Sequence, residues 1–350
     1  MEKGLYIKEL PENGAVKGIF CVAEKKLLQT KNGAPYLALT LTDNSGEIEA
    51  RLWENATESA QLFDKGDFLL IHGESQRFRD AIQIKINQLE PVSEDQIDPT
   101  RFLPCYDGDI ELLWAEFRKL SHYIKDTALR LLLQAMIKDP KFKQLLMTAP
   151  AAKKMHHAYL GGLLEHTVSV AKMALQVTKQ YGHLDRNLLL AGSLLHDIGK
   201  IKELSYSKPP IGYSDEGRLI GHLVLGVQEV DSYVKRAGLE PNSDSLISLK
   251  HLILSHHGQR EYGAPVLPMT EEAVVLHLID DLDAKLNYLK GLKPALEGAN
   301  QQWTAYQPLM ERYFLLTPEQ DEGVISKSQK DSESTEESPP ADQKKLWDLF

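Results

Sequence analysis

Apolar and polar positions alternate in short runs through residues 13–90, at 18–23, 36–41, 47–53, 67–73 and 81–89. A period of two puts successive side chains on opposite faces, so each run predicts a half-buried β-strand. Turn signals at Lys31-Asn32-Gly33, Asp43-Asn44-Ser45-Gly46 and Lys65-Gly66 separate the runs. With a short helical insertion at 54–63, five such strands predict a small closed barrel. From Asp109 the period becomes helical, through Leu112, Leu113, Phe117, Leu120, Ile124, Leu129, Leu131 and Leu133, with a break forced at Pro140. Further helices are predicted at 160–181, 186–197, 216–236, 244–256, 270–290 and 298–313. The fold class is therefore multidomain β + α, with a five-stranded barrel over 1–92 and an all-α domain over 109–316. Residues 93–108, rich in Pro and Asp, read as a linker packed by Phe102 and Leu103. Residues 317–350 form a tail too poor in apolar side chains to offset its ordering entropy, which predicts disorder.

Composition narrows the function classes. A chain of 350 residues with 42% hydrophobic content can build two cores. No apolar run approaches the ~18 residues of a membrane span, and the start MEKGLYIKEL lacks the apolar centre of a signal peptide. The expected location is the cytoplasm, with no membrane partner. Cys21 and Cys105 are isolated, which excludes a thiolate zinc site or a disulfide framework and leaves nitrogen and oxygen as metal donors. The net charge is −10, but the tail alone carries nine acids and four bases. The remainder is only mildly acidic, so a local basic groove for nucleic acid is allowed.

The chemistry concentrates in the second half. The apolar stretch 187–195 reads as a buried helix that delivers His196 and Asp197 to the interior. A lone histidine among 12 is more often a satisfied core residue. A buried imidazole or carboxylate without a partner costs several kcal/mol. An ordered set comprising His166, His196, Asp197, His222, His256, His257 and Asp280 therefore predicts convergence on a divalent metal. So many imidazoles suit Mn²⁺, Co²⁺, Fe²⁺ or Zn²⁺ and argue against pure Mg²⁺. Asp197 is the natural bridge if two ions bind. Candidate catalytic residues are Asp197, Lys200, His157 and Arg218, with Lys285 as a further cation. Lys200 either faces phosphate or caps its helix, and Arg218 either clamps phosphate in bidentate fashion or pairs with Asp215 or Glu216. His157 either contacts substrate, where it could protonate the leaving group, or holds a ligand by a hydrogen bond.

The run from Gly33-Ala34-Pro35-Tyr36 through Thr42-Asp43-Asn44-Ser45-Gly46-Glu47-Ile48 to Leu52-Trp53 resembles an OB-fold of the anticodon-binding type. Such barrels stack single-stranded bases on aromatics in a basic groove. The candidates are Tyr36, Arg51, Trp53, Arg77, Phe78 and Arg79; Tyr36 and Trp53 could equally fill the barrel. The motifs His156-His157 to Leu164-Glu165-His166, Leu195-His196-Asp197-Ile198-Gly199-Lys200, Gly217-Arg218-Leu219-Ile220-Gly221-His222, Ser255-His256-His257-Gly258 and Ile279-Asp280-Asp281-Leu282-Asp283 are similar to an HD-domain phosphohydrolase.

An OB-fold followed by this HD domain resembles the YhaM-type 3′-to-5′ exoribonucleases over residues 13–290. The resemblance implies metal-dependent degradation of single-stranded RNA, and often single-stranded DNA, commonly with manganese. It implies His166, His196, Asp197 and Asp280 as core ligands. His222 with His256 or His257 would complete a second position, with His256 preferred. It also implies a homo-oligomer. The last eight residues, 343–350, are similar to hydrophobic tails that hold a sliding clamp; a helix folding back on the HD domain is the competing reading. Two other functions compete: an HD phosphohydrolase of nucleotides or cyclic nucleotides, and a di-iron HD oxygenase.

Overall fold

A computed structural model describes residues 2–78, 81–153, 156–293 and 300–318. Arg79, the acidic tail beyond 318 and the 343–350 motif lie outside the described residues. The chain divides into two compact units, Met1–Gly291 and Leu292–Phe350.

The first unit opens with β1 (Gly14–Gln29), β2 (Pro35–Asp43), β3 (Gly46–Leu52), β4 (Phe68–Phe78) and β5 (Ala81–Val92). They close into a barrel in the order β1-β2-β3-β5-β4, the OB arrangement. β1 reaches both neighbours because it is 16 residues long and bends at an irregularity between Val22 and Glu24. It pairs antiparallel with β2 at one end and β4 at the other, while β3 and β5 run parallel and close the barrel. The inward positions of the alternating runs, including Phe20, Leu37, Leu41, Leu69, Ile71 and Ile84, form its core. The expected helix at 54–63 contracts to α1 (Ala56–Ser59).

The linker is anchored on both sides. Phe102 packs edge-on against Phe68 with ring centroids 4.8 Å apart. Leu103 is buried with Leu160 and Ile211. Glu94 accepts from Ser207 and pairs with Lys208 at 3.3 Å. These contacts tie the barrel to a two-stranded turn of the helical region formed by β6 (Leu204–Ser205) and β7 (Gly212–Tyr213).

The helices are α2 (Ile110–Ser121), α3 (Thr127–Lys138), α4 (Pro140–Thr148), α5 (Gly162–Gln180), α6 (Arg186–Leu195), α7 (Lys200–Glu203), α8 (Asp215–Leu219), α9 (His222–Arg236), α10 (Asp244–Ser255) and α11 (Glu271–Leu292). Aspartates start several of them: Asp109, Asp126, Asp139 and Asp185 each accept from backbone N–H groups of the first turn. Pro140 opens α4, where its missing N–H costs nothing. α6 is buried from Leu188 to Leu195 and lies against α5 and α10 in one core.

Two expectations need correction. The helix expected over 216–236 is two helices, because Gly221 at φ +79° turns the chain between α8 and α9. The helix expected over 298–313 is absent. Its described part, 300–313, holds β8 (Gln302–Trp303), which pairs antiparallel with β9 (Leu315–Leu316) just beyond it. Pro308 cannot continue a helix, and Trp303, Thr304, Tyr306, Tyr313 and Phe314 favour extended backbone. Tyr306 and Tyr313 meet with ring centroids 5.3 Å apart.

Candidate metal centre and nucleic-acid face

Five elements deliver the site. His166 sits on the second turn of α5, His196 and Asp197 directly after α6, His222 at the first position of α9, His256 and His257 directly after α10, and Asp280 inside α11. Gly199 allows the approach of α9 to the turn after α6. A Cβ there would lie 2.0 Å from the His222 carbonyl oxygen, which only glycine permits.

Asp197 is fully enclosed and faces two groups of donors with its two oxygens. Its Oδ2 lies 3.5 Å from His166 Nε2 and 3.4 Å from His196 Nε2. Its Oδ1 lies 3.6 Å from His222 Nε2 and 3.5 Å from His256 Nε2, and has no hydrogen-bond partner. Asp280 Oδ1 completes the first group, 3.0 Å from His166 Nε2 and 3.6 Å from His196 Nε2. His257 completes the second, its Nε2 lying 3.1 Å from His222 Nε2.

The tautomers are settled by the other ring nitrogens. Nδ1 of His166 meets Asp283 Oδ2 at 2.7 Å, and Nδ1 of His222 meets Glu203 Oε1 at 2.8 Å. Nδ1 of His196, His256 and His257 meets the carbonyls of Ser193, Ile253 and Tyr262 at 3.0, 2.8 and 2.8 Å. These oxygens only accept, so Nδ1 donates in all five, which leaves Nε2 as the atom that could bind a metal. Five Nε2 atoms and two carboxylates thus converge, and the Nε2 atoms of His166 and His196 lie 3.2 Å apart. An interior lined by imidazole nitrogens and carboxylates suits a divalent cation. His166, His196, Asp197 and Asp280 could hold one divalent ion, and His222, His256, His257 and Asp197 a second. His256 and His257 both turn Nε2 toward this cluster, the first to Asp197 and the second to His222.

Surrounding groups hold these ligands in place. Asp283 accepts from His166, from His157 Nε2 at 3.0 Å and from the Ser169 hydroxyl. His157, buried at φ +49°, directs Nδ1 toward Tyr159 and Glu165. Both of its ring nitrogens are thus engaged within the protein. Burial would lower His157, but Asp283 and Glu165 outweigh it and raise it. Burial would likewise raise Asp197 and Asp280, yet Lys200 and the imidazoles hold Asp197 far below the carboxylate range, and His166 and His196 do the same for Asp280. Lys200 Nζ donates to Asp197 Oδ2 at 2.6 Å. Arg218 is exposed and, among the described residues, pairs with no carboxylate. Lys285 is taken by Asp281 at 2.5 Å on the outside of α11. His156 approaches the His166 ring to 5.8 Å between centroids, and burial beside Lys200 and His166 depresses it to about 3.

Two family models cover most of the chain, the HD domain over residues 163–285 and an OB-fold nucleic acid binding domain over 21–92; a third, of a putative helicase, matches 112–188. The 3′-5′ exoribonuclease YhaM of Oceanobacillus iheyensis is 36% identical over 292 residues, 83% of this chain and 89% of that protein. The YhaM of Bacillus subtilis is 34% identical over 290 residues, 83% and 90% of the two chains. The chain belongs to the YhaM family of 3′-5′ exoribonucleases. Among solved structures, the single-stranded DNA binding protein of Thermus aquaticus matches with 24% identity over 23% of this chain and 40% of that one, at a TM-score of 0.21. The second OB-fold domain of replication protein A from Methanococcus maripaludis matches with 23% identity over 25% and 94%, at 0.20.

The barrel presents the residues that the family's OB-fold makes relevant. Tyr36 and Trp53 stack at 4.8 Å and 25°, with Trp53 43% exposed rather than inside the core. The Arg51 guanidinium lies 5.9 Å from the Tyr36 ring and 5.7 Å from the Phe78 ring, joining the two aromatics on one surface. Arg77 is drawn to Glu12 at 2.9 Å. Sequence reasoning missed Asp283 and Glu203 as ligand-holding groups. Asp283 had a readable signal: it follows Asp280 by three residues and so shares its helix face. Glu203 carried none, because its partner His222 is reached only through the fold.

Proposed function

We propose that this chain is a divalent-metal-dependent 3′-to-5′ exonuclease of single-stranded RNA, in which the barrel (1–92) holds the strand and the helical domain (109–316) cuts it. The observation that carries this reading is the convergence of four imidazole Nε2 atoms, with His257 beside His222, on a buried Asp197 with an unpartnered oxygen. The polarity and the RNA substrate follow the family. Bound ions would lower the pKa of an attacking water and neutralise charge on the scissile phosphate. Manganese fits the mixed nitrogen and oxygen donors, and Co²⁺, Fe²⁺ or Zn²⁺ are alternatives.

The protein supplies the rest. Asp197 and Asp280 provide the negative ligands, and Asp283 and Glu203 orient His166 and His222. Lys200 keeps a positive charge beside Asp197, and Arg218 is free to grip a phosphate with two parallel hydrogen bonds. Tyr36, Trp53, Phe78 and Arg51 form a stacking face that accepts any base, which admits single-stranded DNA as well. The site of action is the cytoplasm.

The test is a time course on 5′-labelled RNA and DNA oligonucleotides with Mn²⁺, beside EDTA and the double variant His196→Ala/Asp197→Ala. A descending ladder absent from both controls is expected. Intact strands from folded, metal-loaded protein would sink the nuclease reading and point to small nucleotides.

A further inference from the structure

His256 and His257 follow the last turn of α10, where backbone carbonyls run out of helical partners. The His256 carbonyl finds its partner on another helix: the half-buried His277 of α11 meets it through Nδ1 at 2.9 Å. A carbonyl only accepts, so this nitrogen donates. Shape reinforces the contact. Gly258 stands at φ +77°, and a Cβ placed there would come within 2.3 Å of the His277 ring, so the imidazole fills the space that any other side chain at this position would need. His277 precedes Asp280 by three residues and lies beside it on α11. One stretch of helix thus carries Asp280 and Asp283 for the first group of donors and grips the turn that delivers His256 and His257 to the second.

We propose that His277 is a positioning residue for the second group, clamping the His256-His257-Gly258 turn to α11 so that His256 keeps Nε2 toward Asp197 and His257 toward His222. The turn needs a clamp because of its own chemistry. Both histidines lie past the end of α10, and the glycine after them has more backbone freedom than any other residue. Their Nδ1 bonds to the carbonyls of Ile253 and Tyr262 fix how each ring is rotated. Those bonds do not fix the backbone that carries the rings to α11, and the His277 bond to the His256 carbonyl does. A metal–nitrogen bond is about 2.0–2.1 Å long, so a small shift of this turn would take both donors out of reach. The first group, on α5, the end of α6 and Asp280, does not use the turn. The inference rests on the metal-dependent reading of this centre and not on the nature of the strand.

The test is calorimetric titration of the metal-free full chain with Mn²⁺, which counts the ions and gives their affinities without any substrate. Two ions are expected for the wild type. His277→Ala is expected to leave one affinity unchanged and to weaken the other about 10–100-fold, the same one that His257→Ala weakens. His277→Asn, whose amide N–H can donate to the same carbonyl, is expected to recover most of that loss. Gly258→Ala, whose methyl displaces the imidazole, is expected to reproduce it. A wild type that binds fewer than two ions would sink the two-ion reading itself. With two ions in the wild type, unchanged affinities in His277→Ala, or an equal loss of both that His277→Asn does not recover, would overturn the role of His277 alone.

Discussion

At the scale of single residues, Asp283 acts only through others: one oxygen serves His166 and His157, the other Ser169. Asp283→Asn keeps the shape but puts an amide donor where acceptors are needed, so it should weaken metal binding about 10–100-fold. Titrating Mn²⁺ by calorimetry checks this; unchanged affinity would remove Asp283 from the site. Lys3 and Asp43 show a different residue effect. They pair at 2.7 Å with both side chains almost fully enclosed. Burial outweighs Asp43 in setting Lys3, which lies below the ordinary lysine value, so the pair is costly to assemble and costlier to halve. Lys3→Met should destabilise the barrel by roughly 3 kcal/mol in urea unfolding. Burial raises Asp43, but Lys3, Ser45 and Ile7 outweigh it and depress it. A carboxylate depressed in the fold adds stability that is present above its unfolded value of ~3.9 and is lost as pH falls toward the folded value. Asp43→Asn should therefore flatten the acid limb of melting temperature against pH, and an unchanged limb would contradict it.

At the scale of elements, β2 and β3 together carry the proposed nucleic-acid face, because antiparallel pairing sets Leu37 opposite Leu52 and brings Tyr36 and Trp53 into stacking range. Tyr36→Ala and Trp53→Ala should each cost about 1–3 kcal/mol in binding single-stranded RNA. Cleavage of very short oligonucleotides should survive; fluorescence anisotropy beside a gel assay separates the two effects. A parallel loss of short-substrate cleavage would place these aromatics elsewhere in the mechanism. The close approach of α9 to the turn after α6 is equally an element property, since it needs Gly199 and cannot be seen in either segment alone.

At the scale of the whole molecule, the proposed metal centre is assembled from α5, α11 and the residues at the ends of α6, α9 and α10, so an ion bound there would stabilise the packing of the helical region. Manganese at a hundredfold excess over its dissociation constant should add about 2.7 kcal/mol. A melting curve that rises with Mn²⁺ and falls with EDTA checks this, and His196→Ala/Asp197→Ala should abolish the response. Local periodicity was enough to read the barrel strands and most helices, because a strand repeats every two residues and a helix every 3.6 whatever lies around it. It failed over 298–313, where Pro308 bars a helix and Gln302–Trp303 pair with Leu315–Leu316, and at Gly221, where one residue splits a helix. The sequence alone determined the identity and order of the metal-type residues and the need for a partner that burial imposes on them. Only the tertiary structure decided that both His256 and His257 face the centre, that Asp197 divides its oxygens between two groups, and that Asp283 and Glu203 orient the rings. Those are distances between residues 19 to 126 positions apart. They depend on how helices pack, which short-range spacing does not encode.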